Sequence, residues 1–100
     1  MTFSQKVWNT CKKIPKGKVS TYKEIANALN TKAYRVVGNA LNKNPFSPKV
    51  PCHRVVNSDG RVGGFSKGEN AKIRMLRKEG IKIRNKKVAD FENALFDFSE

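Results

Sequence analysis

Apolar residues recur along the first half of the chain at helical spacing. "TFSQKVWNTCKKI" sets Phe3, Val7, Cys11 and Ile14 four, four and three apart, one stripe of an amphipathic helix in which Cys11 is a small core hydrophobe. Pro15 and Gly17 in "IPKGKV" end that helix. "TYKEIANAL" opens with Thr21 and Glu24 three apart, a capping-box spacing, and predicts a helix with Ile25, Ala28 and Leu29 inward. "AYRVVGNALNKN" predicts the next helix, with Val36, Val37, Ala40 and Leu41 toward the core and Tyr34, Arg35, Gly38, Asn39 and Asn42 outward. Two short helices about a tight polar turn predict a helix-turn-helix whose second helix reads a groove; a hairpin used only for packing is the alternative. Gly38 allows close approach to a backbone.

The second half changes character. Pro45, Pro48 and Pro51 make "PFSPKVP" a loop. "RVVNSDGRVGGF" alternates about a Ser-Asp-Gly turn, which predicts a short hairpin or an extended turn. Gly63, Gly64 and Gly68 surround Phe65 and Ser66 in a loop whose amides can approach a ligand. "ENAKIRMLRKEG" predicts a helix with Gly80 just past its end. "VADFENALFDF" spaces Val88, Phe91, Leu95 and Phe98 as a helix would, so a C-terminal amphipathic helical tail over residues 85–100 is expected to dock on a domain of residues 1–84. One hundred residues suffice for one modest core.

Charge adds what periodicity cannot. Lys and Arg number 21 against 8 Asp and Glu, a net +13, which favours a polyanionic partner. The excess is confined to residues 1–84, with 19 bases and 4 acids, while residues 85–100 hold 2 bases and 4 acids. Nucleic acid is the partner that this balance favours. No apolar run reaches the roughly 20 residues of a membrane span and no signal peptide is recognisable, so a soluble protein without a membrane role is expected, cytoplasmic and nucleoid-associated, or nuclear in a eukaryote. Two cysteines and one histidine make neither a disulfide framework nor a four-ligand zinc site.

The chemistry-bearing stretch is "VPCHRVV", where Cys52 stands beside the single histidine, His53, and beside Arg54. A free thiol needs a base, a cation or a helix N-terminus to become a nucleophile at neutral pH, and these neighbours supply the first two kinds. Adjacency alone leaves a reactive and a structural cysteine equally open.

The blocks "GKVSTYKEIA", "RVVGNALNKNP", "VPCHRVV", "GRVGGFSKG" and "KEGI" stand in the order, and at nearly the spacing, of the C-terminal domain of the O6-alkylguanine-DNA alkyltransferases, and the chain resembles that family over about residues 3–83. The resemblance implies a mostly α fold with a small β element (α+β), a winged-helix-like helix-turn-helix. It implies DNA repair by single-turnover, irreversible transfer of the alkyl group of O6-alkylguanine to Cys52 after base flipping, by a monomer without cofactor or metal. In that frame His53 is the base acting through a water, Glu79 orients the imidazole, Tyr22 protonates the departing guanine, and Asn44 braces the active-site turn. Arg35 replaces the extruded nucleotide in the stack, and Tyr34, Gly38, Asn39 and Thr21 complete the surface set against the minor groove of double-stranded DNA. Pro51, Val55, Gly63, Phe65 and Ser66 form the alkyl-base pocket. Phe65 stands where the family often has tyrosine, and Tyr34 where it has small residues. Most family members carry an N-terminal domain ahead of this one, and the metal sites of such domains are expected to have no counterpart here. The alternative is an alkyltransferase-like sensor, which binds the lesion without chemistry and in which the cysteine is replaced, often by tryptophan.

Overall fold

The computed structural model describes residues 1–99. Helix α1, Phe3–Cys11, is started by a full capping box between Thr2 and Gln5. It is followed by β1, Ser20–Thr21; α2, Tyr22–Ala28; and α3, Tyr34–Asn42. A single 3-10 turn, Cys52–Arg54, leads into β2, Val55–Val56. Helix α4, Glu69–Lys78, precedes the hairpin β3, Ile83–Arg84, and β4, Lys87–Val88, and one last helical turn, α5, Phe91–Ala94. The architecture is α+β, as expected.

Helices α1, α2 and α3 pack on one another around Val7, Cys11, Ile14, Ile25, Ala26, Val37, Ala40 and Leu41. The Trp8 indole donates to Ala40 O at 2.8 Å, tying α1 to α3. β1 and β2 pair in parallel, Ser20 with Val55 and Thr21 with Val56. That short ladder joins the helical half to a second cluster of Val19, Val56, Val62, Leu76, Ile81, Ile83 and Val88 under α4 and the hairpin.

Several inward positions differ from the sequence expectation. Val36 is 49% exposed: the stripe is set by Val37, Ala40 and Leu41, and Val36 lies about a quarter turn from its centre. On α2 the buried pair is Ile25 and Ala26, flanked by half-buried Tyr22 and Leu29, so Ala28 falls on the exposed side. Residues 54–65 make no hairpin of their own. Gly60 donates to Asn57 O and Asn57 to Arg61 O in a turn, while β2 pairs with β1 and Arg61 bridges to Lys87.

The C-terminal segment is not an amphipathic helix. The β3–β4 hairpin straddles residue 84, and the αL conformations of Asp90 (φ 54°) and Phe98 (φ 62°) bound the one helical turn and the extended stretch after it. Its apolar spacing is met instead by packing Val88 in the hairpin and laying Leu95 along Val19 as a parallel bridge. Val19 N–H donates to Ala94 O at 2.9 Å, Phe96 N–H to Val19 O at 2.7 Å and the Ser20 hydroxyl to Phe96 O at 2.6 Å. The segment thus lies against β1; residue 100 is outside the described residues.

Candidate active site

The loop between α3 and the 3-10 turn is fixed by one side chain. Asn44 donates from Nδ2 to Val50 O at 2.9 Å and accepts at Oδ1 from Phe46 N–H at 2.9 Å, so the proline-rich stretch closes on itself immediately before Pro51 and Cys52. The turn then buries three residues in succession: Pro51, Cys52 at 9% exposure and His53 at 2%.

Behind His53 sits a charged pair. Arg54 grips Glu79 with a fork, Nε to Oε1 at 2.9 Å and Nη2 to Oε2 at 2.7 Å, and donates its third arm, Nη1, to Ile14 O at 2.8 Å. This bidentate geometry is the strong kind of ion pair. His53 Nε2 lies 3.2 Å from the same Oε2 but off the line of a formed hydrogen bond, so we treat the contact as electrostatic. A proton on Nε2 faces the carboxylate, which leaves the buried Nδ1 as the basic nitrogen. Burial holds the imidazole below its ordinary value, although Glu79 pulls it back up and the Arg54 and Lys72 charges push it further down; at neutral pH it is uncharged. Burial alone would raise the Glu79 carboxyl, but Arg54 and His53 outweigh it and hold the group below the usual range.

In front of the turn, α3 and the glycine loop enclose a cleft of about 750 Å³, lined by Tyr22, Tyr34, Arg35, Gly38, Asn39, Asn42, Asn57, Gly64, Phe65 and Ser66. Tyr22 and Phe65 pack on the cluster that contains Cys52. Burial, with Cys52 and Cys11 nearby, pushes the Tyr22 phenol up, so it holds its proton at neutral pH and can act as a donor. Gly38 lies flat against Tyr22: a Cβ there would stand 4.0 Å from the ring. Gly63, at φ 73°, is met by the Asn57 amide, whose nearest atom is 3.1 Å from where a Cβ would be. A second, apolar cleft of about 570 Å³ beside Trp8 and Phe46 holds no nucleophile or general base, and we assign the chemistry to the larger one. Cys11 is unsuited as acceptor because burial, with Cys52 adding, pushes its thiol up to about 12.

Residues 2–81 match the DNA-binding domain of 6-O-methylguanine DNA methyltransferase. The chain belongs to this family. A methylated-DNA–protein-cysteine methyltransferase of Methanosarcina acetivorans is 47% identical over 79 residues, 78% of this chain and 51% of the relative, so the chain spans about half the length of the curated relatives it matches. Among solved structures, Mycobacterium tuberculosis OGT in complex with DNA superposes with a TM-score of 0.76 at 39% identity, over 79% of this chain and 50% of that one. The Schizosaccharomyces pombe protein Atl1, in complex with damaged DNA containing O6-carboxymethylguanine, superposes with a TM-score of 0.84 at 33% identity, over 94% of each chain.

Within this methyltransferase fold Cys52 and His53 are buried side by side on the turn, and His53 faces the partly buried Glu79. It places Tyr22, Tyr34, Arg35, Gly38, Asn39, Phe65 and Ser66 around one cleft. Pro51 and Val55 are buried behind it. Thr21 does not reach a DNA-facing surface: it is 4% exposed and its hydroxyl accepts from Glu24 N–H as the α2 cap, so its place is structural. Sequence reasoning missed the Arg54–Glu79 fork, Asn57 in the cleft, and Lys72. Only the last left a signal, a charged residue four before Leu76 on the apolar stripe of α4.

Proposed function

We propose that the chain removes alkyl groups from guanine O6 in double-stranded DNA by transfer to Cys52. The observation that carries this is a buried thiol next in the chain to a buried, neutral imidazole that faces a charge-paired carboxylate, with the protonated phenol of the cleft packed on the cluster that holds the thiol. The Cys52 sulfur forms a bond to the alkyl carbon as the bond from that carbon to guanine O6 breaks. His53 takes the thiol proton through a water, and Tyr22 supplies the proton that the departing guanine needs. Glu79 stabilises the imidazolium as it forms, as the third member of a triad does. The thioether is stable, so each chain acts once.

A base in a duplex hides its O6, so it must be flipped out at a cost of a few kcal/mol. Arg35 and Tyr34, both exposed on the cleft side of α3, fit the tasks of filling the gap and propping the helix in the minor groove, where the degenerate code suits sequence-independent repair. The net +13 charge supplies the grip on phosphates.

A second reading is lesion binding without transfer; the likeness to the S. pombe protein, solved in complex with damaged DNA, favours the binding. Cys52 weighs against this reading, since such sensors lack the thiol. The test is stoichiometric: with excess duplex containing O6-methylguanine, repair read as restored cutting at a methylation-blocked restriction site should stop at one lesion per chain. No repair at all would remove the transfer reading.

A further inference from the structure

Lys72 is the largest of the fully buried side chains, at 1% exposure, and the transfer chemistry above makes no use of it. Among the described residues no carboxylate forms an ion pair with it. A buried ammonium is costly without a partner, and the partner here is a backbone carbonyl: Nζ donates to Gly64 O at 3.1 Å. Gly64 precedes Phe65 and Ser66, and all three line the cleft. The anchor of the loop is doubled at its other end, where Lys72 N–H donates to Gly68 O at 3.2 Å and Gly68 N–H to Phe65 O at 2.9 Å. Helix α4 packs on the 3-10 turn, so the same ammonium lies close enough to Cys52 and His53 to act on both electrostatically.

We propose that Lys72 is a positioning residue of the transfer site: its ammonium fixes the Gly64 carbonyl, and with it the Phe65–Ser66 wall of the cleft, while setting a positive charge beside the turn on which sulfur develops negative charge. The inference rests on the alkyl-transfer reading for its kinetic consequence, but not for its structural one. A hydrophobic residue of the same length could fill the space; it could neither hold the carbonyl nor supply the charge.

Burial lowers the Lys72 ammonium to about 8, with Cys52 and Glu69 pulling it back up, so its proton is lost in an accessible range. The groups that face it are Cys52 and His53 from the turn, with Arg54 and Glu79 behind His53, and Glu69 from its own helix. His53 titrates below its ordinary 6.5, and across the cleft Tyr22 titrates above its ordinary 10. Replacing Cys52 by Ala takes the thiol out of the loop's surroundings, so a step in the loop near pH 8 reports Lys72.

The experiment has two arms. In the Cys52→Ala chain, the amide resonances of Gly64, Phe65 and Ser66 should move together with a midpoint at or slightly below 8, and stay fixed when Lys72→Met is added. Loop resonances that ignore pH across that window, or move equally in the double variant, overturn the proposal. In protein with Cys52 intact, Lys72→Met should slow the first-order transfer step in the bound complex by roughly tenfold to a hundredfold, as a displaced catalytic wall does, with affinity for undamaged duplex unchanged; Lys72→Arg, which keeps the charge, should recover part of the rate. An unchanged rate in folded Lys72→Met also overturns it. If Lys72→Met does not fold, the titration of the Cys52→Ala chain decides alone. If wild-type protein transfers nothing, the transfer reading fails and the titration still judges the lysine.

Discussion

Replacing Glu79 by Gln keeps the shape of the side chain and removes its charge, and the structure fixes what is lost. The wild-type carboxylate accepts two N–H bonds from Arg54, at 2.9 and 2.7 Å, and faces His53 Nε2 at 3.2 Å. The amide of the variant would have one oxygen for the guanidinium fork and would turn its N–H₂ toward the other donors. A hydrogen bond to a charged group contributes about 1.5–3 kcal/mol, and breaking a fully buried pair costs about 3–5 kcal/mol. Arg54 and Glu79 retain 16% and 14% exposure, and Arg54 keeps its bond to Ile14 O, so a loss of about 2–3 kcal/mol is expected, below the fully buried limit. For a domain of this size that corresponds to a drop in Tm of very roughly 10–20 °C, read by calorimetry at pH 7.

The sign of the pH dependence follows. Glu79 is held below its ordinary range in the folded chain, so its contribution is present above about pH 4.3, the unfolded value, and fades as pH falls through the folded value. The gap in Tm between wild type and Glu79→Gln should therefore close in acid. The imidazole gives an independent readout, because the chain has a single histidine: without the carboxylate that raises it, His53 should titrate lower still in NMR. A variant with wild-type Tm at neutral pH and an unmoved His53 titration refutes the assignment of Glu79 as the shared partner.

Truncation after Arg84 removes buried Val88 and the bonds that hold residues 94–96 on Val19 and Ser20; a loss of at least ~3 kcal/mol is expected, and an unchanged melting curve would show the segment to be dispensable. Arg35→Ala should leave Tm unchanged, since the residue is exposed, yet weaken lesion binding and flatten its salt dependence; equal binding would remove Arg35 from the interface. Because burial keeps His53 neutral in the folded chain while the unfolded chain takes up a proton near 6.5, stability should decline as pH drops below that value and level off below the folded one; calorimetry across that range should find no such decline in His53→Gln. A thiol reagent at pH 7 should modify Cys52 before Cys11, whose thiol is pushed up to about 12, and peptide mapping that found Cys11 modified first would contradict the burial argument.

Much of this site could be read from residue order. The stripe of α1, the capping threonine of α2 and the glycine that follows α4 are local patterns, and local patterns survive in the sequence. The two-residue strands β1 and β2 carry too few positions to show a period; their pairing, 35 residues apart as Ser20 with Val55, is made by packing. The tail misled for a related reason. Val88, Phe91, Leu95 and Phe98 keep helical spacing, but a hairpin and an extended strand crossing a core bury apolar residues just as well, and the αL residue Asp90 interrupts any long helix. Arg54 and Glu79 are 25 residues apart, and nothing local marks them as partners. Lys72 was visible as a charge on an apolar stripe, a conflict between levels of the kind that points to function.

If the proposed chemistry holds, Cys52 itself accepts the alkyl group. Intact-protein and peptide mass spectrometry after mixing with a duplex containing O6-methylguanine tests it directly. The expected result is a gain of one methylene unit, located on the peptide bearing Cys52 and absent from Cys52→Ala, with guanine restored in the DNA. Tight lesion binding with no change in mass, or a methyl group found on Cys11, would contradict it.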